Sequence, residues 1–234
     1  MMANGETSKL KAYLDRNRLP AQRIAELTEK YKDVCDSKSD REFWDGYYRY
    51  GMDKLHESLD YSLNLRTFGA LNSLIFPGSS VLELCCRGGF FGTYLAGSRP
   101  DIRYMGLDIN PLAIENAKLL AKRNRVNPEL FACGDYRDYR PHFGRPDIIT
   151  GRNITNTGDY DVDFSAIKLF VQMADEIAAM HFTYEHALKT TLMHLKYSFE
   201  KHGYTFEDVS GFIGSEALPG DAGCIIFRAM KYFK

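Results

Sequence analysis

The clearest indication of the fold is the stretch VLELCCRGGFFG, residues Val81 to Gly92. Its first half is an apolar run with the length of a buried β-strand, and its second half is a turn with three glycines. A glycine turn between a strand and a helix lets a ligand approach the backbone, and the first turn of the helix offers N–H groups to that ligand. Arg87 is unexpected in this turn, because such turns usually carry no long side chain.

Downstream of the turn, short apolar runs alternate with helical patterns. Strands are expected at 80–86, 102–109, 128–134 and 146–152. Between the second and the third, the segment NPLAIENAKLLAKRNR predicts a helix with Asn110 as its N-cap and Pro111 at its first helical position. This alternation is typical of a parallel sheet built from βαβ units.

The C-terminal third adds two helices, at 163–180 and 187–203, with a short strand around 180–185 between them. Two more strands are expected at 204–214 and 222–232. The connection between these two strands, SEALPGD, permits an antiparallel pair but is too short for a helical crossover. The sequence therefore predicts an α/β fold with a mostly parallel sheet and an antiparallel C-terminal strand.

Residues 1–75 show helical patterning and no convincing strand, so we expect an N-terminal helical segment at 1–75 and a sheet domain at 76–234. The segment from Phe43 to Tyr61 is rich in aromatic residues and holds the only tryptophan. Two interpretations stay open for it: a lid over a small acceptor, or a helix that packs its aromatic side chains into the core.

Composition restricts the classes of function. The chain has 234 residues, a formal net charge of -1 and a pI of about 6.6, so nothing in its charge favours a nucleic-acid partner. Five cysteines, an odd number without a CxxC pair, argue against a disulfide framework. The sequence has no signal-peptide pattern and no apolar run of membrane-spanning length, so we expect a soluble, cytoplasmic protein without membrane contact.

Acidic residues stand at the carboxyl ends of two of the predicted strands. Asp108 ends the second strand, 19 residues beyond Gly89, where a carboxylate can accept hydrogen bonds from ribose hydroxyls. Asp135 follows the third strand in ACGDYRDY. Ligands of open α/β sheets bind outside the carboxyl ends of the strands, so these residues are candidate ligand contacts.

The segments VLELCCRGG, GLDINPLAIENAK, ACGDY and PDIITGRNIT resemble, in order and spacing, the class I S-adenosylmethionine-dependent methyltransferases. The resemblance covers roughly residues 79–156 and implies a Rossmann-like, doubly wound sheet with S-adenosyl-L-methionine as cofactor. It also implies that Glu83 and the Gly88–Gly89 backbone lie near the methionine part of the cofactor, that Asp108 binds the ribose, and that Asp135 and Tyr136 lie at the adenine. The full set of expected cofactor-binding residues is Glu83, Cys85, Arg87, Gly88, Gly89, Asp108, Ile109, Asp135 and Tyr136.

The chain departs from the family in the turn, where Cys85 and Arg87 stand at positions that usually carry glycine. Cysteine is a small change, but arginine brings a long cationic side chain to the point of closest cofactor approach. Three alternatives stay open for Arg87: it points away, it binds the cofactor carboxylate, or it blocks the site. In the last case the chain is a non-catalytic or repurposed member of the fold.

A dinucleotide-binding fold is the competing template, since RGGFFG is the G-x-G-x-x-G pattern with arginine at its first position. A nicotinamide-dependent oxidoreductase needs a substrate region beyond the cofactor unit, and the predicted antiparallel strand pair leaves little room for one. Glu83 has no role in that template. The methyltransferase interpretation is therefore preferred.

The acceptor is expected beyond the fourth strand. The catalytic candidates are His56, Tyr47, Arg152 and Asn153, with His56 as a candidate base. His181 is a further candidate base if its segment is a strand. His181 and His186 stand five residues apart, a spacing that fits a metal site poorly, so no metal is expected.

These observations together predict methyl transfer from S-adenosylmethionine to a small-molecule acceptor, as in the biosynthesis of specialised metabolites. The oligomeric state is left between a monomer and a homodimer.

Overall fold

The computed structural model describes residues 3–59, 61–139, 141–152, 177–183, 197, 200, 204–208 and 224–231. Its helices are α1 (Ala3–Arg16), α2 (Ala21–Lys30), α3 (Lys32–Cys35), α4 (Asp40–Arg49), α5 (Met52–Leu59), α6 (Tyr61–Ser73), α7 (Phe90–Ser98) and α8 (Pro111–Arg123), with a short 3-10 turn at Pro128–Leu130. Its strands are β1 (Ser80–Leu84), β2 (Arg103–Asp108), β3 (Phe131–Cys133), β4 (Ile148–Arg152), β5 (Ile177–Thr183), β6 (Tyr204–Asp208) and β7 (Cys224–Lys231).

The strands form one sheet in the order β3-β2-β1-β4-β5-β7-β6. Strands β1 to β4 are mutually parallel, as the alternation of strands and helices predicts. The predicted cap of α8 is confirmed, because the Asn110 side chain accepts the backbone N–H of Leu112 at 2.9 Å. Asn110 thereby satisfies one of the N–H groups that a helix start leaves without an intrahelical acceptor.

The chain builds outward from β1 to β2 and β3, and it then returns to place β4 on the other side of β1. Asp147 ties this return to the start of β1, because one of its carboxylate oxygens accepts both the backbone N–H and the hydroxyl of Ser80 at 2.7 Å. Such a change in strand order opens a crevice at the carboxyl ends of the strands, the usual ligand site of this kind of sheet.

One hydrophobic cluster fills the space between the strands and three helices. Phe68 of α6, Phe91 and Leu95 of α7, and Ile114 of α8 pack with Val81 of β1 and other buried strand residues. Burial of this apolar surface stabilises the fold and holds α7 and α8 against the sheet. The sheet therefore positions the turn between β1 and α7 rigidly.

The C-terminal strands complete the sheet. β5 is parallel to β4, and β7 pairs antiparallel with both β5 and β6. One expectation was wrong: residues 177–180 lie in β5 rather than at the end of a helix over 163–180, because Ile177 pairs with Ile148 at the start of the register with β4. Most of the two helices expected at 163–180 and 187–203 lies outside the described residues.

The chain divides into two compact units between Tyr61 and Ser62. The first contains α1 to α5, and the second contains the sheet with α7, α8 and nearly all of α6. The sequence places this boundary near residue 75, whereas α6 shares the sheet's hydrophobic cluster through Phe68 and Leu71.

No helix among the described residues is both long and apolar enough to span a membrane.

Candidate functional site

The turn between β1 and α7 has three residues in the left-handed backbone region. The φ angle is 53° at Cys85, 54° at Arg87 and 74° at Gly89. Two of these are not glycine, although a Cβ atom makes this conformation costly. The turn thus has a glycine-type backbone at both positions where the sequence departs from the family.

Gly89 is required for packing as well as for backbone conformation. A Cβ placed on it would lie 2.6 Å from the Cβ of Ala117 and 2.9 Å from Cε1 of Phe131. Both distances are shorter than real contacts of this kind. The absence of a side chain at Gly89 therefore lets the start of α7 approach α8 and β3 closely.

Asp108 connects the turn to the end of β2. Its Oδ2 accepts the backbone N–H of Arg87 at 3.0 Å, and its Oδ1 accepts the backbone N–H of Asn110 at 2.9 Å. The carboxyl group is buried, which raises its pKa, while backbone hydrogen bonds from Asn110 and Arg87, the charge of Arg87 and the backbone of Ile109 oppose that rise. Asp108 therefore fixes the backbone of the turn between β1 and α7 through its hydrogen bond with Arg87.

Asp108 and Ile109 together fit a nucleoside. A carboxylate has about four acceptor positions, so one backbone bond at each oxygen leaves capacity for the two hydroxyls of a ribose. The next residue, Ile109, is apolar and 68% exposed, so its side chain is accessible to the flat face of a base. The described residues thus fit the cofactor that the resemblance implies.

Glu83 lies inside the protein, not at the surface of the turn. It is 6% exposed, and its Oε2 accepts a hydrogen bond from the hydroxyl of Tyr104 in β2. Burial raises the pKa of Tyr104 well above its usual value, and the charge of Glu83 raises it further. Tyr104 therefore stays protonated and donates its hydroxyl hydrogen to Glu83.

Two glycines provide the space for Tyr104. A Cβ on Gly92 of α7 would lie 2.1 Å from the Tyr104 hydroxyl oxygen, and one on Gly106 of β2 would lie 2.7 Å from it. Sequence reasoning missed this arrangement. The available signal was Glu83 itself, because a carboxylate in a buried strand needs a hydrogen-bond donor nearby.

The two cysteines of the turn are held as thiols. Burial raises the pKa of Cys85 to about 12, with a further contribution from the charge of Asp108 and opposition from that of Arg87. Burial likewise raises the pKa of Cys86 well above its usual value. Since the thiolate is the reactive form, neither side chain suits nucleophilic chemistry near neutral pH.

Asp135 follows β3 and pairs with Arg137. The Arg137 Nε lies 2.9 Å from both carboxylate oxygens of Asp135, and the Arg137 backbone N–H also donates to this carboxylate at 2.9 Å. The hydrogen bond from the Arg137 side chain is the main cause of the lowered pKa of Asp135. Tyr136 is half-buried, and this burial is the main cause of its raised pKa.

Two of the catalytic candidates, Tyr47 and His56, are hydrogen-bonded to each other in the first compact unit. Tyr47 Oη of α4 lies 2.7 Å from His56 Nδ1 of α5. Tyr47 is buried, and its ring packs on Phe43 and Trp44, while the edge of Tyr13 meets the imidazole with ring centroids 4.7 Å apart. The imidazole is thus held in a defined orientation.

Of the other two catalytic candidates, Arg152 is at the end of β4. It pairs in register with His181 of β5. The segment of His181 is therefore a strand, which is the condition under which the sequence made His181 a candidate base. Asn153 lies outside the described residues. Within the described parts of the chain, no group of three histidine, cysteine, aspartate or glutamate residues could hold a metal ion.

No protein-family model matches this chain. Over 83 residues it is 32% identical to ribosomal RNA small subunit methyltransferase C of Aeromonas hydrophila, in an alignment that covers 36% of this chain and 24% of that protein. Over 148 residues it is 28% identical to an uncharacterized RNA methyltransferase of Listeria innocua, with coverage of 54% and 32%. The chain therefore spans about a third or less of the length of these two relatives.

The fold is similar to that of solved methyltransferases along most of the chain. Magnesium protoporphyrin IX methyltransferase from Synechocystis, solved with bound SAM, superposes with a TM-score of 0.55 at 13% sequence identity. The superposition covers 95% of this chain and 97% of that one. At this identity, the similarity establishes the fold.

Proposed function

Because this chain has the class I S-adenosylmethionine-dependent methyltransferase fold, we propose that it transfers a methyl group from S-adenosylmethionine to a small-molecule acceptor. The observation that carries the proposal is the turn between β1 and α7, with its three left-handed residues and its hydrogen bond from Arg87 to Asp108. Such a turn at the carboxyl end of a strand, before a helix N-terminus, suits the close approach of a cofactor to the backbone.

The cofactor-binding residues come from three strand ends. Asp108 accepts the ribose hydroxyls, Ile109 and Tyr136 contact the adenine, and Asp135 lies beside them. The backbone of Gly88 and Gly89 faces the methionine part. Cys85 shapes the turn through its left-handed backbone, and Glu83 supports it from inside the protein.

When bound, the cofactor supplies an activated methyl group on a sulfonium. Asp108, Ile109 and the Gly88–Gly89 backbone would hold it so that its methyl carbon is open to a lone pair of the acceptor, with neutral sulfur as the leaving group of an in-line displacement. The chain's own contribution is to align the acceptor for this in-line displacement and to exclude water. An acceptor that carries a proton must also lose it to a base.

His56 is the proposed base, oriented by its hydrogen bond with Tyr47. Histidine suits this role because its ordinary pKa lies near neutral pH. Arg152 and Asn153 are the proposed polar contacts of the acceptor beyond β4. The segment from Phe43 to Tyr61 is the proposed lid, a role that suits the aromatic residues around Tyr47.

The small-molecule acceptor is supported by the near-neutral charge of the chain and by the aromatic residues of α4. A protein that binds RNA tightly usually carries a basic surface, because its affinity comes largely from phosphate contacts. The structural neighbour with bound SAM acts, by its name, on a porphyrin.

The test is calorimetric titration of the whole chain with S-adenosylmethionine and with S-adenosylhomocysteine. We expect micromolar binding that Asp108→Ala reduces at least 10-fold, since two hydrogen bonds to a charged group are lost. Asp138→Ala is the matched control, because Asp138 is an exposed aspartate close in sequence to the expected adenine contacts. Absence of binding to the wild-type chain would reject the proposed function.

RNA is the second candidate acceptor, since both curated relatives are named as RNA methyltransferases. Incubation with tritiated S-adenosylmethionine and separate pools of total RNA and small metabolites distinguishes the two. Label in the metabolite pool supports the first proposal. Label that ribonuclease releases from the RNA pool replaces it with the second.

A further inference from the structure

We propose that Arg87 binds the carboxylate of the cofactor's methionine portion, while Tyr104 holds the acidic residue of the turn, Glu83, away from the cofactor's ammonium group. The inference rests on the proposed function and identifies which charge of the cofactor this chain recognises.

The main chain places Arg87 at the edge of the sheet that a cofactor approaches. Its backbone N–H is bonded to Asp108 at the end of β2, and it stands between the buried residues Cys86 and Gly88. Its own side chain is half-buried. Arg87 is therefore part of the turn and not a distant surface residue.

The positive charge of Arg87 influences two ionisable groups at this edge of the sheet. Burial raises the pKa of Asp108 and that of Cys85, and the positive charge of Arg87 opposes the rise in both. Arg87 follows the end of β1, and its backbone N–H bonds to Asp108, the last residue of the parallel neighbour β2, so its side chain starts where these two strands end together. A guanidinium there offers paired N–H donors, the geometry that a carboxylate ligand matches best.

Glu83, in contrast, is directed into the protein. It is 6% exposed and accepts the hydroxyl of Tyr104, which fits only because Gly92 and Gly106 carry no side chain. A carboxylate in this position is not available to pair with an ammonium group at the surface of the turn. At this turn the methionine portion of the cofactor therefore meets the positive charge of Arg87 and not the negative charge of Glu83.

This arrangement predicts which part of the cofactor determines affinity. The methionine portion carries one ammonium and one carboxylate. If Arg87 is the main charged contact of the methionine portion, removal of the carboxylate lowers the affinity more than it would in a site where Glu83 pairs with the ammonium group. Loss of one charge-assisted contact corresponds to about 10-fold or more in affinity.

The experiment compares S-adenosylmethionine with its decarboxylated form, which keeps the sulfonium and the amine. Binding of both is measured by calorimetry to the wild-type chain and to Arg87→Gln, Arg87→Lys and Arg125→Gln. Arg125 is the matched control, because it is an exposed arginine with φ 59°, also in the left-handed region, after the C-terminal end of α8. Thermal melts confirm that each variant is folded.

We expect the wild-type chain and Arg125→Gln to prefer the carboxylated form about 10-fold or more, Arg87→Lys to show a smaller preference, and Arg87→Gln to bind both forms equally. An unchanged preference in Arg87→Gln, or no preference in the wild-type chain, overturns the inference while the proposed function stands. Failure of the wild-type chain to bind either form rejects both.

Discussion

At the scale of single residues, the notable feature is a strained backbone at two positions of the turn. Cys85 and Arg87 both adopt φ angles near 54°, at a cost of about 1–2 kcal/mol for a residue with a Cβ atom. The surrounding hydrogen bonds impose this conformation, since Cys86 donates to the Leu107 carbonyl at 3.0 Å and Arg87 donates to Asp108. Conformational strain maintained in this way is common at ligand sites.

Arg87→Gly is expected to be more stable than Arg87→Ala by about 1 kcal/mol, because only glycine removes the Cβ atom that makes this backbone costly. Both variants lose the same charge, so the difference between them isolates the strain. Urea unfolding measures the two free energies of unfolding. Equal stabilities would show that the backbone at Arg87 is not strained.

At the scale of secondary-structure elements, contacts between backbone and ring atoms set how closely α7 approaches α8 and the sheet. Gly89 contacts Ala117 of α8 and Phe131 of β3, and Gly92 faces the ring of Tyr104 in β2. Ala117 and Phe131 are each 1% exposed or less, so neither can move without disturbing the core. The position of the turn therefore depends on small residues at element contacts.

Gly89→Ala is expected to lower the free energy of unfolding by about 3 kcal/mol, since it adds a steric clash to an unfavourable φ angle. Gly78→Ala is the matched control: its φ angle is also positive, at 81°, but no atom lies within 4 Å of the added Cβ. We expect it to lose only about 1 kcal/mol. Similar losses in the two variants would contradict the close packing of α7.

At the scale of the whole molecule, the parallel sheet brings three distant chain segments to one edge. Arg87 follows β1, Asp108 is the last residue of β2 and Asp135 follows β3, and these three strands are parallel neighbours in the sheet. A ligand that bridges these segments stabilises the fold as a whole, because it binds the folded chain and not the unfolded one.

S-adenosylhomocysteine at about 100 times its Kd is therefore expected to stabilise the chain by about 2.7 kcal/mol at neutral pH. Burial raises the pKa of Asp108 above the ordinary aspartate value, and the ionised form is the one that accepts the ribose hydroxyls. Stabilisation by the ligand is thus complete above that pKa and decreases as the pH falls through it.

Thermal melts with and without S-adenosylhomocysteine, recorded from pH 7 downward, measure this effect. Asp108→Asn is the reference, because its amide does not titrate and its smaller stabilisation should not vary with the protonation of residue 108. A wild-type stabilisation that stays constant as the pH falls until the chain itself unfolds would contradict the role of Asp108.

Much of the sheet region could be predicted because its signals are local. Apolar runs, the glycine turn and the Asn110 cap each depend on a few neighbouring residues, and they recur in the structure, except that Pro128–Leu130 form a 3-10 turn instead of the start of the third strand. The end of the predicted helix at 163–180 could not be placed in this way. Residues 177–180 read as helical in sequence, but pairing with β4 makes them a strand. Tertiary context overrides local propensity in such cases.

The candidate site shows the same division. Its residue types and order along the chain, from Glu83 through Arg87 to Asp108, follow from the sequence, because strand ends of a parallel sheet gather at one edge. The direction of each side chain does not, since it depends on partners far away in sequence. Glu83 turns inward because Tyr104, 21 residues later, donates to it. The hydrogen bond of Tyr47 to His56 likewise exists only once α4 and α5 are packed together.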